Sequence, residues 1–293
     1  MLETLRACDP VGDRVAAHAV LRDANRRPGT GYTIHPGEWD WWMFHRDPAL
    51  PAPLLSIGDH LLLDLEAHTS ELSLFGASPA ELVAVIDDLG ARLTNVGWIS
   101  VHVHERAAAL ASRGFAARGG PWPVFERDPR GGVEDLRPVP NGFTIRPLAG
   151  EHEAAARSVA ARRAFRTDMP PERHVARYLA FMRSPAYEAA RDIVAIDANG
   201  RVGAFAIHWV DTDLSLAQLE PVGTDPDCTR RGLARAVLAE TFERIAAAGI
   251  ACVRVTTGGD NDGAIAFYRS CGFEVVDHLH WWHRTDDAGR MAG

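Results

Sequence analysis

Lysine is absent from this chain, since all 31 basic residues among the 293 are arginine. Chemistry through a Schiff base on a lysine amine is therefore excluded. Cysteine is scarce, with four residues, none in a Cys-x-x-Cys pair. Their spacing matches no zinc ligand set, so we expect reduced thiols and no bound metal.

Long apolar runs are also missing, and the chain opens without the apolar segment of a signal peptide. These features predict a cytoplasmic protein with no membrane partner. Acidic residues outnumber basic ones, giving a net charge of −8. Such a balance argues against nucleic acid as a partner.

A basic loop containing glycine lies between an apolar strand and a helical run. The loop reads Thr229, Arg230, Arg231, Gly232, Leu233, Ala234, followed by Arg235. Free N–H groups of a helix's first turn favour an anionic group, and arginine grips phosphate oxygens in pairs. Gly232 would let that group approach the backbone closely. The order strand, loop, helix thus predicts a pyrophosphate site.

A second motif runs from Asn261 to Phe273. Ala264, Phe267, Tyr268 and Cys271 recur at helical spacing, Gly272 suits a helix end, and Phe273 begins an apolar stretch. The pattern predicts a helix that ends in a turn and leads into a strand.

Together the two motifs resemble those of the GNAT superfamily of N-acetyltransferases. Members carry an Arg/Gln-x-x-Gly-x-Gly/Ala loop and an Asn-x-x-Ala-x-x-Phe-Tyr-x-x-x-Gly-Phe segment. Thr229 departs from the pattern, because Arg or Gln is usual at that position. The resemblance implies acetyl-CoA as the co-substrate and an amine as the acceptor.

The resemblance also implies roles for individual residues. Tyr268 would be the proton donor to the CoA sulfur, the alternative being a tyrosine that only packs in the core. Glu220, on the strand before the loop, could take the acceptor's proton, or merely bind a substrate cation or face solvent. Asn261 would contact the cofactor, although an N-cap explains it equally well. The predicted cofactor-binding residues are Val222, Gly223, Thr224, Thr229, Arg230, Arg231, Gly232, Leu233, Ala234, Arg235 and Asn261.

The predicted fold class is mixed α/β, with two tandem GNAT folds. Each would have a central, mixed but mostly antiparallel sheet flanked by helices. We divide the chain into a degenerate first copy (1–128), a linker rich in Pro, Gly and charge (129–141), a catalytic copy (142–285) and a tail (286–293). The elements predicted in the second copy are a strand from Phe143, helices Glu151–Phe165 and Pro171–Met182, strands Asp192–Asp197, Val202–Val210 and Leu214–Thr224, a helix from Arg231, a strand Ala251–Thr257, a helix from Asp262 and a strand Phe273–Arg284.

The first half echoes this order. Ala108–Phe115 mirrors Ile265–Phe273, Leu72–Gly76 mirrors Leu219–Gly223, and a helix from Pro79 follows. The first copy lacks a basic glycine loop and the tyrosine, so it should be structural and not bind acyl-CoA. This layout is similar to that of tandem superfamily members of the mycothiol synthase type.

Two clusters remain. The histidines are His102, His104, His278, His280 and His283. Strand alternation places His283 away from His278 and His280, which favours cleft or solvent positions over a metal site. The aromatic cluster comprises Trp39, Trp41, Trp42, His35 and His45. It would form either an apolar substrate pocket or the packing between the copies, and we favour packing.

The sequence thus predicts an acyl-CoA-dependent N-acyltransferase that moves acetyl to the amine of a small molecule. The amine would attack the thioester directly in a ternary complex, in a monomer or homodimer. One alternative is a catalytically silent acyl-CoA-binding sensor or partner module. Another is a peptide or protein N-acetyltransferase.

Overall fold

A computed structural model describes residues 5–27, 32–64, 71–100, 104–131 and 139–285. His102, most of the predicted linker and the predicted tail lie outside these ranges. The described strands are β1 (Arg6–Ala7), β2 (Leu54–Ile57), β3 (Leu61–Asp64), β4 (Glu71–Phe75), β5 (Asn95–Ser100), β6 (Phe115–Arg127), β7 (Phe143–Pro147), β8 (Asp192–Asp197), β9 (Val202–Asp211), β10 (Leu216–Thr224), β11 (Cys252–Thr256) and β12 (Glu274–Arg284). The described helices are α1 (Arg14–Arg26), α2 (Pro36–Phe44), α3 (Pro79–Leu89), α4 (His104–Ala111), α5 (Ala154–Phe165), α6 (Pro171–Met182), α7 (Leu233–Ala247) and α8 (Asp262–Ser270).

The strands form one mixed sheet in the order β1-β2-β3-β4-β5-β12-β6-β11-β10-β9-β8-β7. Pairing is antiparallel except between β4 and β5 and between β10 and β11, which are parallel. The parallel pair β4–β5 of the first half corresponds to the parallel pair β10–β11 of the second. The predicted repetition of one fold is therefore visible in the strand order.

The two copies exchange their last strands. Strand β6 comes from the first half of the chain but pairs with β11 of the second half. Strand β12 ends the second half but pairs with β5 of the first. The exchanged strands also pair with each other, from Glu274 opposite Glu126 to Arg284 opposite Phe115. The two predicted sheets are therefore joined into one.

Most predicted boundaries in the second half agree with the structure. The helix predicted from Arg231 begins instead at Leu233. The physical reason is the backbone of the loop, where Arg230 and Gly232 have φ angles of 57° and 82°. Those left-handed conformations cannot continue into the first turn of a right-handed helix.

The exchanged strands carry core side chains into the opposite half. Phe125 of β6 is buried in the core around α7 and β11. Leu279 of β12, only 2% exposed, is buried in the core formed by α1, α2 and β2. Each half therefore lacks part of its core without the other, and we expect the halves to unfold together.

Replacing Leu279 by Ala should destabilise the first half of the chain although the residue belongs to the second. Loss of a buried leucine side chain costs about 2–5 kcal/mol. Urea denaturation should show this loss in a single transition. Hydrogen exchange should show lost protection in β2 and β3.

Val276→Ala is the matched control, because Val276 lies on the same strand and is 43% exposed. It should change stability by no more than about 0.5 kcal/mol. Protection lost only in the second half of the chain would contradict the strand exchange.

Candidate active site

A cleft opens between β10 and β11. The two strands pair in parallel from Leu216 opposite Cys252 to Gln218 opposite Arg254, and beyond that point they separate. The resulting cavity, of about 360 Å³, reaches the first turns of α8. Four of the predicted site residues line it together: Glu220, Val222, Asn261 and Tyr268.

A bulge in β10 sets the position of Glu220. Leu219 lies opposite His208 of β9, yet Val222 lies opposite Ala206, so β10 carries one extra residue between them. The indole N–H of Trp209 donates to the carbonyl oxygen of Glu220 at 2.8 Å. The strand therefore departs from simple alternation at the point where its carboxylate enters the cleft.

Glu220 shares its surroundings with a second carboxyl group, that of Glu38 on α2. The two side chains lie close enough for each to affect the pKa of the other. Burial, together with the charge of Glu38, raises the pKa of Glu220 well above its ordinary value. Two buried carboxyl groups in contact cannot both ionise at low cost, so the pair keeps one proton.

Glu38 is the better placed of the two to carry the negative charge. Its side chain accepts the Tyr32 hydroxyl at 3.0 Å and the backbone N–H of His35 at 2.8 Å. The second of these bonds belongs to a capping box at the start of α2. Hydrogen bonds to the ionised form favour it, so the shared proton belongs mainly to Glu220.

The carboxyl pair is connected to the exchanged strand through Arg254 of β11. Its guanidinium lies 5.5 Å from the ring of Tyr32 and pairs with Glu126 of β6 at 2.7 Å. It also donates to the carbonyl oxygen of Thr33 at 3.4 Å. Residues of both halves thus fix the surroundings of Glu220.

Tyr268 lies on the other wall of the cleft, 6% exposed. Its ring contacts those of Phe125, Phe267 and Phe273 at centroid distances of 5.6 to 5.7 Å. Burial raises the pKa of the phenol, so the hydroxyl keeps its proton at neutral pH. The geometry is compatible with a proton donor held by a rigid aromatic cluster.

The predicted phosphate loop is anchored by Asp225. This carboxylate accepts the backbone N–H of Asp227 and the guanidinium groups of Arg163 and Arg201, each at 3.0 Å. Gly232 then begins α7 with no side-chain cap and no acidic residue in the first turn. The uncapped N–H groups face the loop, as an anion site requires.

The other predicted cofactor residues have different surroundings. Arg231 lies 5.0 Å from the ring of Phe143, and Arg235 donates to the Ser270 hydroxyl at 2.8 Å. Thr229 donates its hydroxyl to the carbonyl oxygen of Pro226, and Leu233 is buried in the core. Thr229, Arg230, Arg231 and Gly232 are exposed, while Ala234 and Arg235 are half-buried.

Two further predicted residues have structural partners of their own. Asn261 caps α8, since its side chain accepts the backbone N–H of Ala264 at 3.1 Å. Gly223 touches Phe205 so closely that a Cβ there would lie 2.3 Å from the ring. Thr224 is half-buried at the end of β10, beside Gly223. The N-cap alternative for Asn261 is thus realised, and the residue also lines the cleft.

The equivalent helix of the first copy, α3, is closed at its start. Ser78 accepts the backbone N–H of Glu81, and the Glu81 carboxylate accepts the backbone N–H of Ser78 at 2.6 Å. The helix start thus already holds a negative charge of its own, which disfavours a phosphate. This observation supports the prediction that the first copy binds no acyl-CoA.

A second cavity, of about 510 Å³, lies between α2 of the first half and α5 and α6 of the second. It meets the cleft at Trp42, Phe165, Glu220 and Pro221, which line both. Glu220 therefore stands at the junction of two cavities.

For the aromatic cluster, the sequence left open either an apolar pocket or packing. In the structure some of its residues pack in a core and others line a cavity. Trp39 is fully buried in the core of the first half. Trp41, Trp42 and His45 line the second cavity, with Trp41 stacked on His45 at 3.7 Å. Burial lowers the pKa of His35 to about 3, and its ring bridges Gly37 N–H and the Leu216 carbonyl oxygen. Packing is thus only part of what the cluster does.

Sequence reasoning missed Glu38, Arg157, His174 and Arg177, all at or beside these cavities. A signal existed for Glu38 alone, because it lies three residues after His35 and a proline begins the helix between them. Arg157, His174 and Arg177 lie on α5 and α6. The sequence of these helices predicts which face is exposed and which is buried, but not that a cavity lies beside them.

Of the predicted histidine cluster, His278, His280 and His283 lie half-buried along β12, whereas His104 is exposed at the start of α4. Within the described ranges the structure holds no group of three or more His, Cys, Asp or Glu side chains able to bind a metal. Likewise, no described helix is long and apolar enough to cross a membrane.

Comparison with known proteins shows which family the second half of the chain matches. Residues 159–273 match the acetyltransferase (GNAT) family. The matched region contains both motifs. This chain carries a GNAT acetyltransferase domain. The resemblance read from the sequence is confirmed for the second half.

Curated relatives include mycothiol acetyltransferases. That of Kytococcus sedentarius is 30% identical over 169 residues, which cover 56% of this chain and 56% of the relative. The ribosomal protein bS18-alanine N-acetyltransferase of Escherichia coli is 36% identical over 89 residues, 30% of this chain and 59% of the relative. Matches to four mycothiol acetyltransferases span 28% to 61% of those proteins' lengths.

Solved structures show a similar fold along nearly the whole chain. A tandem GNAT protein of the clavulanic acid biosynthesis pathway superimposes with a TM-score of 0.63 and 14% identity, covering 95% of this chain and 96% of its own. A GCN5-related N-acetyltransferase from Sphaerobacter thermophilus gives 0.58 and 18%, covering 95% and 94%. These similarities show the predicted fold class.

The carboxyl pair predicts that the stability of Glu220→Gln differs from that of the unaltered protein by an amount that depends on pH. A carboxyl group whose pKa is raised by folding keeps its proton in the folded state while the unfolded chain releases it. Stability is then lost as pH rises from the ordinary glutamate pKa toward the raised value. Glu220→Gln removes this loss, so its melting temperature should exceed that of the unaltered protein at pH 7.5, and the difference should shrink near pH 4.5.

Calorimetry at the two pH values measures the effect. Glu274→Gln, at an exposed site of β12, is the control and should leave the difference between the two pH values unchanged. Equal melting temperatures of Glu220→Gln and the unaltered protein at pH 7.5 would show that the pair holds no unfavourable charge.

Proposed function

We propose that this protein transfers the acetyl group of acetyl-CoA to the amine of a small molecule. The observation that carries the proposal is the junction at Glu220. On one side a cleft contains Tyr268 and leads toward the uncapped start of α7. On the other side lies a cavity large enough for a small acceptor. An amine in that cavity would meet a thioester in the cleft beside a carboxyl group.

In this mechanism acetyl-CoA lies along β10, with backbone N–H groups of Val222 and Thr224 contacting the pantetheine arm or thioester. The phosphates rest against the N–H groups of Gly232 to Ala234, with Arg230 and Arg231 adding positive charge. Both substrates bind before reaction.

Glu220 takes a proton from the acceptor's ammonium group, which frees the nitrogen lone pair for attack on the thioester carbon. A base whose pKa is raised toward neutrality removes such a proton more readily than an ordinary glutamate. Tyr268 donates its proton to the departing sulfur. The acetyl group leaves sulfur and bonds to nitrogen, and the second proton that this nitrogen loses as the amide forms returns to the Tyr268 phenolate, with no covalent enzyme intermediate.

Glu38 acts through Glu220 and is a positioning residue. Its charge, held by Tyr32 and by the backbone of His35, raises the pKa of the base. The first copy would thus contribute to the reaction without binding acetyl-CoA. Proteins whose second copy alone is present lack this contribution.

The second cavity favours a small-molecule acceptor over a protein. It is bordered by α2, α5 and α6, so the first copy covers the side from which a polypeptide would approach. A peptide or protein acceptor remains the second candidate, since one relative acts on a ribosomal protein. Assay of CoA release with amines and with peptides distinguishes the two.

Tyr268→Phe should lower kcat by about a hundredfold, because general acids are typically worth that much or more. Acetyl-CoA affinity should change little, since the ring remains packed and the hydroxyl matters when charge builds on sulfur. Stopped assays of CoA release and titration calorimetry measure the two quantities. Undiminished turnover would remove Tyr268 from the reaction, and acetyl-CoA binding without turnover on any amine would favour the silent sensor.

Glu38→Gln should move the acidic limb of the kcat/KM profile to lower pH. The base must be ionised, so activity falls as pH falls through the pKa of Glu220. Removing the neighbouring negative charge lowers that pKa. Rates measured with one acceptor from pH 5 to pH 9 show the shift.

Glu81→Gln is the matched control. Glu81 has the same capping-box position on α3 that Glu38 has on α2, but it lies outside both cavities. Its profile should coincide with that of the unaltered protein. An equal shift in both variants would assign the effect to loss of a helix cap.

A further inference from the structure

Several buried polar atoms that line or border the second cavity have no hydrogen-bond partner in the described part of the chain. They include Nη2 of Arg157, Nε of Arg177, Nε2 of His45 and Nδ1 of His174. Arg157 and His174 are only 1% and 3% exposed. Buried polar atoms are normally paired, so such a group around one cavity indicates a missing partner.

Three arginines line the cavity: Arg46, Arg157 and Arg177. Arg157 pairs with Asp192 at 3.2 Å, and Asp47 pairs with Arg173 at 2.5 Å. Arg177, whose Nε is among the unpartnered atoms, makes no ion pair within the described residues. Arginines at the cavity outnumber the carboxylates of Asp47, Asp192 and Glu220, so the cavity carries a positive charge.

The two imidazoles are uncharged at neutral pH. Burial lowers the pKa of His174 to about 4, and burial also lowers the pKa of His45, with nearby arginines adding to both effects. A neutral imidazole can still donate one N–H. The cavity therefore offers hydrogen-bond donors and the positive charge of Arg177.

We propose that this cavity binds a carboxylate group of the acceptor, with Arg177, Arg157 and His174 as its hydrogen-bond donors. The inference rests on the proposed transfer to an amine and narrows the acceptor to amino acids in the broad sense. The charge of Arg177, beside an Arg157 already paired with Asp192, matches the single charge of a carboxylate better than the double charge of a phosphate monoester.

The rest of the acceptor is apolar or aromatic. Trp41, Trp42, Phe165 and Met169 line the same cavity. Flat aromatic walls favour an aromatic or apolar body between the carboxylate and the amine. Arginine and histidine would hold one end of such a molecule, and its amine would lie toward Glu220.

Binding of simple probes tests the carboxylate site without turnover. The probes are 3-phenylpropionate, its amide and phenyl phosphate, with quenching of tryptophan fluorescence as the readout, since Trp41 and Trp42 line the cavity. The carboxylate should bind about tenfold or more tightly than the amide, as expected for a charged hydrogen bond. It should also bind more tightly than phenyl phosphate.

Arg177→Gln should remove the preference of the carboxylate over the amide. Arg183→Gln is the matched control, because it removes an exposed arginine at the end of the same helix, where Arg183 pairs with Glu151. The control should retain the preference. Circular dichroism confirms that both variants are folded.

The proposal is overturned if the carboxylate and the amide bind equally, if neither binds, if phenyl phosphate binds more tightly than the carboxylate, or if Arg177→Gln retains the preference.

Turnover separates this proposal from the function on which it rests. CoA release is measured with phenylalanine, phenylalaninamide and phenethylamine. If phenylalanine is preferred and the probes behave as expected, both proposals stand. Selective binding of the carboxylate probe with no CoA release from any amine supports the carboxylate site and counts against the transferase. Equal CoA release from all three amines supports the transferase and overturns the carboxylate site.

Discussion

The pairing of β6 with β12 at the centre of the sheet is the interaction on which the rest of the structure depends. Each strand belongs by sequence to one copy and by hydrogen bonding to the other. Phe125 and Leu279 show the consequence for packing, because each completes the core of the opposite half. The relative position of the two copies is therefore fixed by backbone hydrogen bonds, and cavities formed between them have defined walls.

That fixed position explains what the first copy contributes. Its own helix start is closed by the Ser78–Glu81 capping box, yet its α2 supplies Glu38 to the carboxyl pair and Trp41 to the second cavity. A copy whose own helix start is closed can still contribute, because its α2 lines the cavity beside the neighbouring copy. Arg254 connects this wall to the exchanged strand β6, because it contacts Tyr32 and Thr33 on one side and pairs with Glu126 on the other.

The sequence was sufficient to predict the fold and much of the cleft. Helix α6 and strand β8 have the predicted bounds, because a proline begins the helix and a continuous apolar run forms the buried strand. Tyr268 and Glu220 could be proposed from local motifs, and the structure places both in one cleft. Glu38 and Arg177 could not, since their importance depends on contacts between residues far apart in the chain. Nor could the exchange of β6 and β12, because either strand satisfies the same alternation in either sheet.

The strand exchange also has a consequence for synthesis on the ribosome. Domains are generally able to fold one after another as they emerge. Here β5 finds its neighbour β12 only after the whole second copy has been translated. Until then the first half has an unpaired sheet edge at β5. Unpaired edge strands can form hydrogen bonds with strands of other chains. When the protein is produced rapidly, this edge can pair with other newly synthesised chains. The yield of folded protein would then be limited by this pairing more than by the stability of the folded state.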